Sequence, residues 1–238
     1  EKRIEVVYPG VERMVLGTEK LPNPAPFANY LTSTFNIKKP YILYVGSAYP
    51  HKNLERLIAA FAEFRTKFYS NWQLVLVGRE DYFYKKLAAT VKKNFPEEIF
   101  KDIIFIGQVS DRDLDGLYRG ARLVVLPSLY EGFGLPLLEA ASRGVPIAAA
   151  KTASIPEVLA DAAYYFNPED VDNMAQVIDL VGGSRQIQDE LAQKGFERIK
   201  RFSWDKTAKE TLEVYNQIKN RTYAFAKNSR HSGARVLP

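Results

Sequence analysis

Cysteine is absent from the 238-residue sequence, and histidine occurs only as His51 and His231. Disulfide scaffolds, cysteine nucleophiles and metal sites built from thiolates or several histidines are therefore excluded. Long apolar runs are also absent. The longest uncharged stretch, residues 21–37, contains three prolines, whereas a membrane span needs about 18 largely apolar residues. No signal-peptide pattern opens the given sequence, and the lack of cysteine suits a reducing compartment, so we expect a cytoplasmic protein.

Positive charge is in excess, but the excess is confined to the C-terminal end. The formal net charge is +5, and segment 219–238 carries five basic residues and no acidic one. The rest of the chain balances its 28 acidic residues with an equal number of basic ones. We therefore expect no nucleic-acid partner and a solvated, disordered basic tail. Peripheral contact of this tail with the inner face of a membrane is the open alternative.

The composition is that of a globular protein, with 46% hydrophobic and 26% charged residues, which excludes a disordered or fibrous chain. Residues 21–40 are rich in Pro, Asn, Ser and Thr and predict a linker or loop. Six short and nearly continuous apolar runs follow. They span residues 41–45, 73–77, 103–106, 123–126, 146–149 and 163–166. Such runs are typical of strands that are buried on both faces of a parallel sheet.

Apolar stripes at helical spacing occur between and after these runs. They predict helices at residues 54–68, 83–94, 135–143 and 172–181, and a last helix that begins after Ser203 as its N-cap and carries Leu212, Tyr215 and Ile218 on one stripe. Strands that alternate with helices predict an α/β fold, a doubly wound Rossmann-like parallel sheet of about six strands.

The predicted sheet accounts for residues 41–218 and suggests a division of the chain into three parts. Residues 3–8 predict one more strand without a preceding helix. We therefore expect residues 1–40 to be the end of a preceding domain and a linker, residues 41–218 to be a ligand-binding domain, and residues 219–238 to be the basic tail.

Two loops are placed to form a binding site. Open α/β sheets bind ligands beyond the carboxyl ends of their strands, where the strand order reverses, and in the common order this point lies between the first and fourth strands. Segment 46–53 follows the first predicted strand, and segment 127–136 follows the fourth. Each leads into a predicted helix, so we expect both loops to open on one crevice.

The second loop contains a possible phosphate site. Gly132 and Gly134 allow a tight turn with the backbone close to a ligand, and Pro136 suits the first turn of a helix. The backbone N–H groups of Gly134 and Leu135 would then lie at the positive end of the helix dipole, where anions bind.

Two carboxylates flank this turn. Glu139, expected in the first turn of the helix, can reach a ribose next to the phosphate, and Glu131 can accept hydrogen bonds from a sugar on the other side. The simpler alternative is that Glu139 only complements the helix dipole and that Glu131 is solvated.

The first loop adds a cation. Lys52 precedes a helix N-terminus, where a positive charge costs a few tenths of a kcal/mol, and a bound diphosphate would reverse the sign of that effect. An exposed lysine tolerated at small cost is the alternative. Ser47 can donate a hydrogen bond at the same strand end, and His51 is interpreted as a loop residue rather than a base.

Other nucleotide-binding motifs are absent or have a simpler explanation. Asp111-Arg-Asp113 matches an Asp-x-Asp metal motif, but Ser110 and Asp113 also form a capping-box-like helix start, which we favour. Gly-x-Gly-x-x-Gly does not follow the first predicted strand, which excludes a typical dinucleotide dehydrogenase, and no P-loop motif occurs.

The two loops carry a family resemblance. Glu131-Gly-Phe-Gly-Leu-Pro-Leu-Leu-Glu139 resembles the Glu-x7-Glu signature of retaining glycosyltransferases of family 4, which have the GT-B fold. Other segments are also similar to this family: residues 46–57, Phe105-Ile-Gly-Gln-Val, Leu117-Tyr118, Pro156-Glu157 and the closing Phe202-Ser-Trp. The resemblance covers roughly residues 40–218 and identifies them with the C-terminal, donor-binding half of such an enzyme.

The resemblance implies a role for each loop residue. In the family, Glu131 contacts hydroxyl groups of the donor sugar, and Lys52 neutralises the donor diphosphate. The remaining donor-binding residues implied are Ser47, Gln108, Val109, Phe133, Gly134, Leu135 and Glu139. Among these, Glu139 would hold the ribose, whereas Gln108 and Val109 would border the base. No metal or other cofactor is expected, because lysine and a helix terminus supply the positive charge.

Two positions depart from the family pattern. Many members carry arginine where Ser47 stands, so neutralisation of the diphosphate would rest more on Lys52. The frequent Gly-Gly before Pro-Glu is here Ala153-Ser-Ile155, which affects the expected fit near the donor sugar. The acceptor, a glycan or glycolipid, is expected to bind an N-terminal domain that lies outside these 238 residues.

The expected reaction is transfer of a hexose from a nucleoside diphosphate sugar with retention at the anomeric carbon. The first loop looks most like those of mannosyltransferases, so GDP-mannose is the first expectation for the donor and a UDP-hexose the next. A non-catalytic nucleotide-sugar sensor, and an epimerase or phosphorylase of the same fold, remain open alternatives.

Overall fold

The structure is a computed structural model that describes the backbone of residues 4–11, 25–68 and 70–231, and the side chains of residues 4–11, 29–68 and 70–219. The chain divides into two compact units. One consists of residues 13–199 and contains the sheet, and the other combines residues 1–12 with residues 200–238.

A six-stranded parallel sheet forms the centre of the larger unit, in the order β3-β2-β1-β4-β5-β6. Its strands are β1 Tyr41–Val45, β2 Gln73–Val77, β3 Ile103–Gly107, β4 Leu123–Leu126, β5 Ile147–Ala150 and β6 Tyr164–Phe166. The predicted strands and the doubly wound α/β fold are confirmed. The first and fourth strands are neighbours, and Ile42 of β1 pairs with Leu123 of β4.

The central strands are buried on both faces, as their apolar runs predict. Ile42, Leu43, Leu74, Val75 and Leu123 expose none of their surface. Burial of such side chains is the main favourable term in folding. Because both faces are covered, polar side chains can gather only at the strand ends.

Helices flank the sheet along the chain. They are α1 Ala25–Phe35, α2 Leu54–Lys67, α3 Tyr82–Asn94, α4 Glu97–Phe100, α5 Asp111–Gly120, α6 Leu135–Ser142, α7 Ile155–Leu159, α8 Val171–Gly183, α9 Arg185–Ile199 and α10 Trp204–His231. The predicted helices after strands β1, β2, β4 and β6 are confirmed within two residues at each end.

The interpretation of residues 21–40 as a loop is wrong for the part that the structure describes, because residues 25–35 form α1. The helix ends where Asn36 adopts a left-handed conformation with φ of 58°. Leu31 is buried, and the hydroxyl of Tyr30 donates a hydrogen bond to Asp113 of α5. Contacts distant in sequence therefore stabilise a helix whose composition favours turns.

Helix α9 was not predicted, and it supports the helix that begins at the second loop. Its buried side includes Gln188 and Gly195 beside Leu191, so its apolar periodicity is weak. A Cβ at Gly195 would lie 3.3 Å from the Cβ of Ala141 in α6. The small residue therefore allows α9 to pack closely against α6.

The smaller unit contains α10 and the described N-terminal residues. The strand predicted at residues 3–8 is wrong where it can be seen, because residues 4–11 form neither strand nor helix. The hydroxyl of Thr207 donates a hydrogen bond to the carbonyl of Tyr8 at 2.7 Å. Ser203 caps α10, as predicted, by accepting a hydrogen bond from the N–H of Lys206 at 3.2 Å.

The basic C-terminal segment is helical over most of its length. Helix α10 continues to His231, so the expectation of a disordered tail from residue 219 is wrong as far as residue 231. The apolar residues Leu212, Tyr215 and Ile218 are exposed. In the described part of the chain, no helix is both long and apolar enough to cross a membrane.

A glycine contact between β1 and β2 gives a prediction for stability. A Cβ at Gly78 would lie 2.0 Å from the carbonyl oxygen of Gly46. Gly78→Ala should therefore lower the free energy of unfolding by about 1–3 kcal/mol, the usual cost of overpacking. Urea denaturation measures this change. Gly183→Ala is the control, because nothing lies within 4 Å of its added Cβ, and an equal loss there would contradict the prediction.

Candidate functional site

The loops after β1 and β4 lie side by side at the carboxyl edge of the sheet. The parallel pairing of Ile42 with Leu123 and of Leu43 with Val124 places the ends of the two strands together. Beyond the strands, the N–H of Leu129 donates a hydrogen bond to the carbonyl of His51 at 2.8 Å. The predicted meeting of the two loops is confirmed.

Asn53 of the first loop ties three loops together, a role that the sequence does not indicate. Its side-chain amide donates hydrogen bonds to the carbonyls of Pro127 at 3.0 Å and Pro168 at 2.8 Å. Its backbone is left-handed, with φ of 60°, a conformation that asparagine tolerates better than most residues. Asn53 is buried, so both carbonyls are satisfied away from water.

The first loop leaves β1 through a constrained glycine. Gly46 has φ of +155°, and a Cβ there would lie 2.6 Å from the hydroxyl of Tyr44. That hydroxyl donates a hydrogen bond to the carbonyl of Ser47 at 2.7 Å. Burial, and to a lesser degree the charge of Glu131, raise the pKa of Tyr44, so the hydroxyl stays a donor. Ser47 is half-buried at the strand end.

Lys52 and Glu131 form an ion pair across the crevice, which the sequence analysis did not anticipate. The ammonium nitrogen of Lys52 lies 2.6 Å from Oε2 of Glu131, and the side chains expose 17% and 15% of their surface. The sequence pattern predicts a phosphate partner for the lysine and a sugar partner for the glutamate. The structure brings both to one point, where each is the other's partner.

Two serines hold Glu131 from behind. The hydroxyl of Ser128, which is fully buried, lies 3.3 Å from Oε2 of Glu131. The hydroxyl of Ser154 donates a hydrogen bond to the backbone carbonyl of Glu131 at 2.8 Å. Ser154 belongs to the segment that departs from the family pattern, but the sequence predicts no contact of either serine with Glu131, because the partners of loop serines depend on the tertiary fold.

The turn before α6 relies on one of its two glycines. Gly134 has φ of +90° and is the N-cap of α6. Gly132 has no positive φ, and nothing lies within 4 Å of a Cβ built on it, so the backbone conformation at this position does not require glycine. Leu135 begins the helix and is exposed, and its N–H is among those that lack an intrahelical acceptor. Phe133 is half-buried.

Glu139 lies in the second turn of α6, not in the first turn as expected. Its Oε2 accepts a hydrogen bond from the hydroxyl of Tyr118 at 2.8 Å. Because dipole effects fall off within the first turn, complementing the helix dipole does not account for this glutamate. Tyr118, a residue of α5 to which the sequence analysis gave no role, is its partner.

Tyr118 is held on its other side by Arg143. The guanidinium carbon of Arg143 lies 5.0 Å from the centroid of the Tyr118 ring, a cation–π distance. Arg143 also donates hydrogen bonds to the backbone carbonyl of Glu139 at 3.0 Å and to Asp115 at 2.8 Å. Burial, followed by the charge of Glu139, raises the pKa of Tyr118 well above its usual value.

Gln108 and Val109 follow β3, at the same carboxyl edge but separated from β1 by β2. Gln108 is exposed and Val109 half-buried. Gly107 turns the chain here with φ of +82°, and its N–H donates a hydrogen bond to the hydroxyl of Tyr84 at 3.0 Å. The two residues are thus placed at the outer part of the edge, apart from the ion pair.

The helix-cap interpretation of Asp113 is confirmed. Its N–H donates a hydrogen bond to Oγ of Ser110 at 3.2 Å, and its carboxylate accepts one from Tyr30. This bond from Tyr30 is the main cause that lowers the pKa of Asp113. Among the described residues, no group of three or more His, Asp and Glu side chains could hold a metal ion.

His51 lies in a short 3₁₀ helix, Pro50–Lys52, within the first loop. Its ring stacks on Tyr49, with the centroids 6.1 Å apart and the planes at 16°. Tyr49 in turn contacts Phe83 of α3 edge to face at 5.1 Å. These aromatic contacts join the first loop to α3.

A cleft borders each loop. A cleft of about 410 Å³ lies between the first loop, α2 and α3, with Tyr49, Arg56 and Lys86 in its lining. A second, of about 600 Å³, is lined by Leu129, Lys151 and other residues beyond β5 and β6. The described lining of these two clefts does not include Lys52, Glu131 or a residue of α6, so each cleft adjoins one of the loops rather than the ion pair itself.

Comparison with known proteins agrees with this geometry. The model of the family "Glycosyl transferases group 1" matches residues 32–198. O-antigen chain mannosyltransferase B of Escherichia coli is 34% identical over 183 residues, which cover 75% of this chain and 46% of that protein. The chain thus spans about half the length of this curated relative.

Solved structures share the fold. Sucrose-phosphate synthase from Thermosynechococcus elongatus has a TM-score of 0.70 and 26% identity, over 90% of this chain and 52% of that one. The C-terminal domain of LpcC, a glycosyl transferase group 1 family protein from Francisella tularensis, has a TM-score of 0.63 and 24% identity, over 76% of this chain and 92% of that one.

The family match covers more than half of the chain and includes both loops of the candidate site. It agrees with the six-stranded parallel sheet and with the resemblance drawn from the residues between Glu131 and Glu139. The chain belongs to the group 1 glycosyl transferase family.

Proposed function

We propose that this chain supplies the donor-binding half of a retaining hexosyltransferase that uses a nucleoside diphosphate sugar. The ion pair between Lys52 and Glu131, 2.6 Å apart beside the start of α6, is the observation that carries the proposal. It joins a group suited to phosphate and a group suited to sugar hydroxyls at one point of the crevice.

The diphosphate would bind between Lys52 and the first turn of α6. The N–H of Leu135 provides a donor at the positive end of the helix, and Lys52 provides a full charge. Since a diphosphate carries more negative charge than one carboxylate, it can replace Glu131 as the partner of Lys52. Glu131 would then be free to accept hydrogen bonds from the sugar.

The donor sugar proposed is mannose, carried by GDP, with a UDP-hexose as the next choice. The support is the printed function of the relative from Escherichia coli, a mannosyltransferase. The solved C-terminal domain of LpcC matches this chain over 92% of its own length. This match supports the proposal that the chain is the C-terminal, donor-binding half of such an enzyme. An acceptor glycan or glycolipid would then bind a separate N-terminal domain.

The reaction proposed breaks the bond between the anomeric carbon and the diphosphate oxygen. The electron pair stays on the nucleoside diphosphate, the acceptor hydroxyl oxygen bonds to the anomeric carbon, and one proton is released. Negative charge grows on the departing oxygen, and Lys52 with the α6 N-terminus would stabilise it as preorganised positive groups. These groups supply the charge, so we propose that no metal ion is needed.

Lys52→Ala should weaken binding of GDP about 10- to 100-fold, because a hydrogen bond to a charged group contributes roughly 1.5–3 kcal/mol. Binding of guanosine, which has no phosphate, should be nearly unchanged. Isothermal titration calorimetry measures both affinities. Lys86→Ala is the control, since it removes the same charge from the neighbouring cleft. Equal losses for GDP and guanosine would show that Lys52 is structural.

Glu131→Gln should strengthen binding of GDP by about 3- to 10-fold, because it removes a competitor for Lys52 whose ion pair contributes on the order of 1 kcal/mol. Binding of GDP-mannose should gain less, since the amide is a weaker acceptor for sugar hydroxyls. Glu55→Gln, in the first turn of α2, removes a nearby charge outside the pair and serves as the control. Weaker GDP binding by the Glu131→Gln variant would contradict competition.

Residues 1–238 alone should bind GDP-mannose but transfer mannose very slowly, because holding donor and acceptor together lowers a barrier by up to roughly 7–11 kcal/mol. Calorimetry measures the binding of GDP-mannose, and chromatographic detection of GDP and of the mannosylated acceptor measures the transfer.

EDTA should leave the binding of GDP-mannose unchanged. Loss of binding in EDTA would point to a metal ion held by Asp111 and Asp113. Transfer at an ordinary enzymatic rate would overturn the donor-half assignment, and an epimerised donor would indicate an epimerase.

A further inference from the structure

A buried tyrosine lies behind Glu139, the carboxylate to which the family resemblance assigns the ribose of the donor nucleotide. Tyr118 is fully buried, and its hydroxyl is 2.8 Å from Oε2 of Glu139 and 3.2 Å from the carbonyl of Pro136. A tyrosine has one hydroxyl proton, and the shorter contact to a charged acceptor is the stronger. The proton therefore points at Glu139.

Glu139 depends on this contact for its position. A half-buried glutamate on a helix has several rotamers, and fixing one of them costs entropy. The phenol engages Oε2, while no hydrogen bond to Oε1 occurs among the described residues. A carboxylate has about four acceptor sites, so the contact with Tyr118 leaves Oε1 available for two hydroxyl groups.

Tyr118 itself is held firmly. Arg143 covers its ring at 5.0 Å and is anchored to Asp115 at 2.8 Å. A second residue, Arg119, bonds the other oxygen of Asp115 at 2.7 Å. The ring therefore has a partner on its face and another at its hydroxyl, and its position does not depend on a ligand.

We propose that Tyr118 is a positioning residue that makes the site selective for nucleotides with an intact ribose diol, by holding the Glu139 carboxylate ready to accept its two hydroxyl groups. The inference rests on the proposed function, since it requires a nucleotide at this site, and it takes Glu139 as the ribose ligand that the family resemblance implies. Tyr118 does not touch the nucleotide and acts through Glu139. The raised pKa of Tyr118 keeps its hydroxyl protonated at neutral pH.

The experiment compares GDP with 2′,3′-dideoxy-GDP in calorimetric titrations of the wild-type and variant proteins, or UDP with its dideoxy analogue if the wild type binds UDP better. Tyr118→Phe should weaken binding of the ribose nucleotide about 3- to 10-fold, the range of one ordinary hydrogen bond, and leave the dideoxy nucleotide unchanged. In the Glu139→Ala background, Tyr118→Phe should have no further effect on either ligand.

Tyr41→Phe is the matched control. Tyr41 is also buried and donates to a backbone carbonyl, that of Leu117 at 2.6 Å, and it begins β1, at the edge of the sheet opposite the loops. This variant should change neither affinity. Thermal melting checks that each variant is folded. If the Tyr118→Phe variant is not folded, Arg143→Lys takes its place in the titrations. This change weakens the cation–π contact with the Tyr118 ring, so it should cause the same selective loss of affinity for the ribose nucleotide.

The outcomes separate the two proposals. If the wild type binds neither GDP nor UDP, the proposed function is wrong and the inference falls with it. If the wild type prefers the ribose nucleotide and Tyr118→Phe keeps the full preference, only the inference is overturned. Equal losses for the ribose and dideoxy nucleotides would assign Tyr118 a purely structural role and would also overturn the inference.

Discussion

The parallel pairing of β1 with β4 is the constraint on which the candidate site depends. The strand order reverses between these two strands, so the loop after each one begins at the same point of the sheet edge. This pairing brings together Lys52 and Glu131, which are 79 residues apart in the chain. Asn53 then bonds the carbonyls of Pro127 and Pro168 and holds three loops in one arrangement.

The two glutamates of the second loop and its helix are held in different ways. Glu131 faces the ammonium group of Lys52, which offsets its negative charge. Whether Glu131 can bind another partner therefore depends on which other anion binds Lys52. Glu139 faces the neutral hydroxyl of Tyr118, which orients the carboxylate without cancelling its charge. A charged partner suits a group that has to change partners when a ligand arrives, whereas a neutral donor suits a group that accepts a ligand without moving.

The predictable part of the fold rested on signals local in sequence. Continuous apolar runs predicted the strands because both faces of this sheet are buried, and Ser110 and Ser203 predicted helix starts through their own hydroxyls. Where such signals were weak, prediction failed. Helix α1 depends on contacts of Leu31 and Tyr30 with distant segments, and α9 buries small and polar residues, so neither produced a clear periodicity.

The sequence by itself determined the six strands, the helices that follow β1, β2, β4 and β6, the two loops and the residue types within them, because periodicity, glycine and proline act over a few residues. It also carried the family resemblance through the segment from Glu131 to Glu139. Only the tertiary structure decided that Lys52 pairs with Glu131, that Gly132 is unconstrained, and that Tyr118 holds Glu139. These contacts join side chains from different elements, and their distances follow from sheet order and helix packing rather than from spacing along the chain.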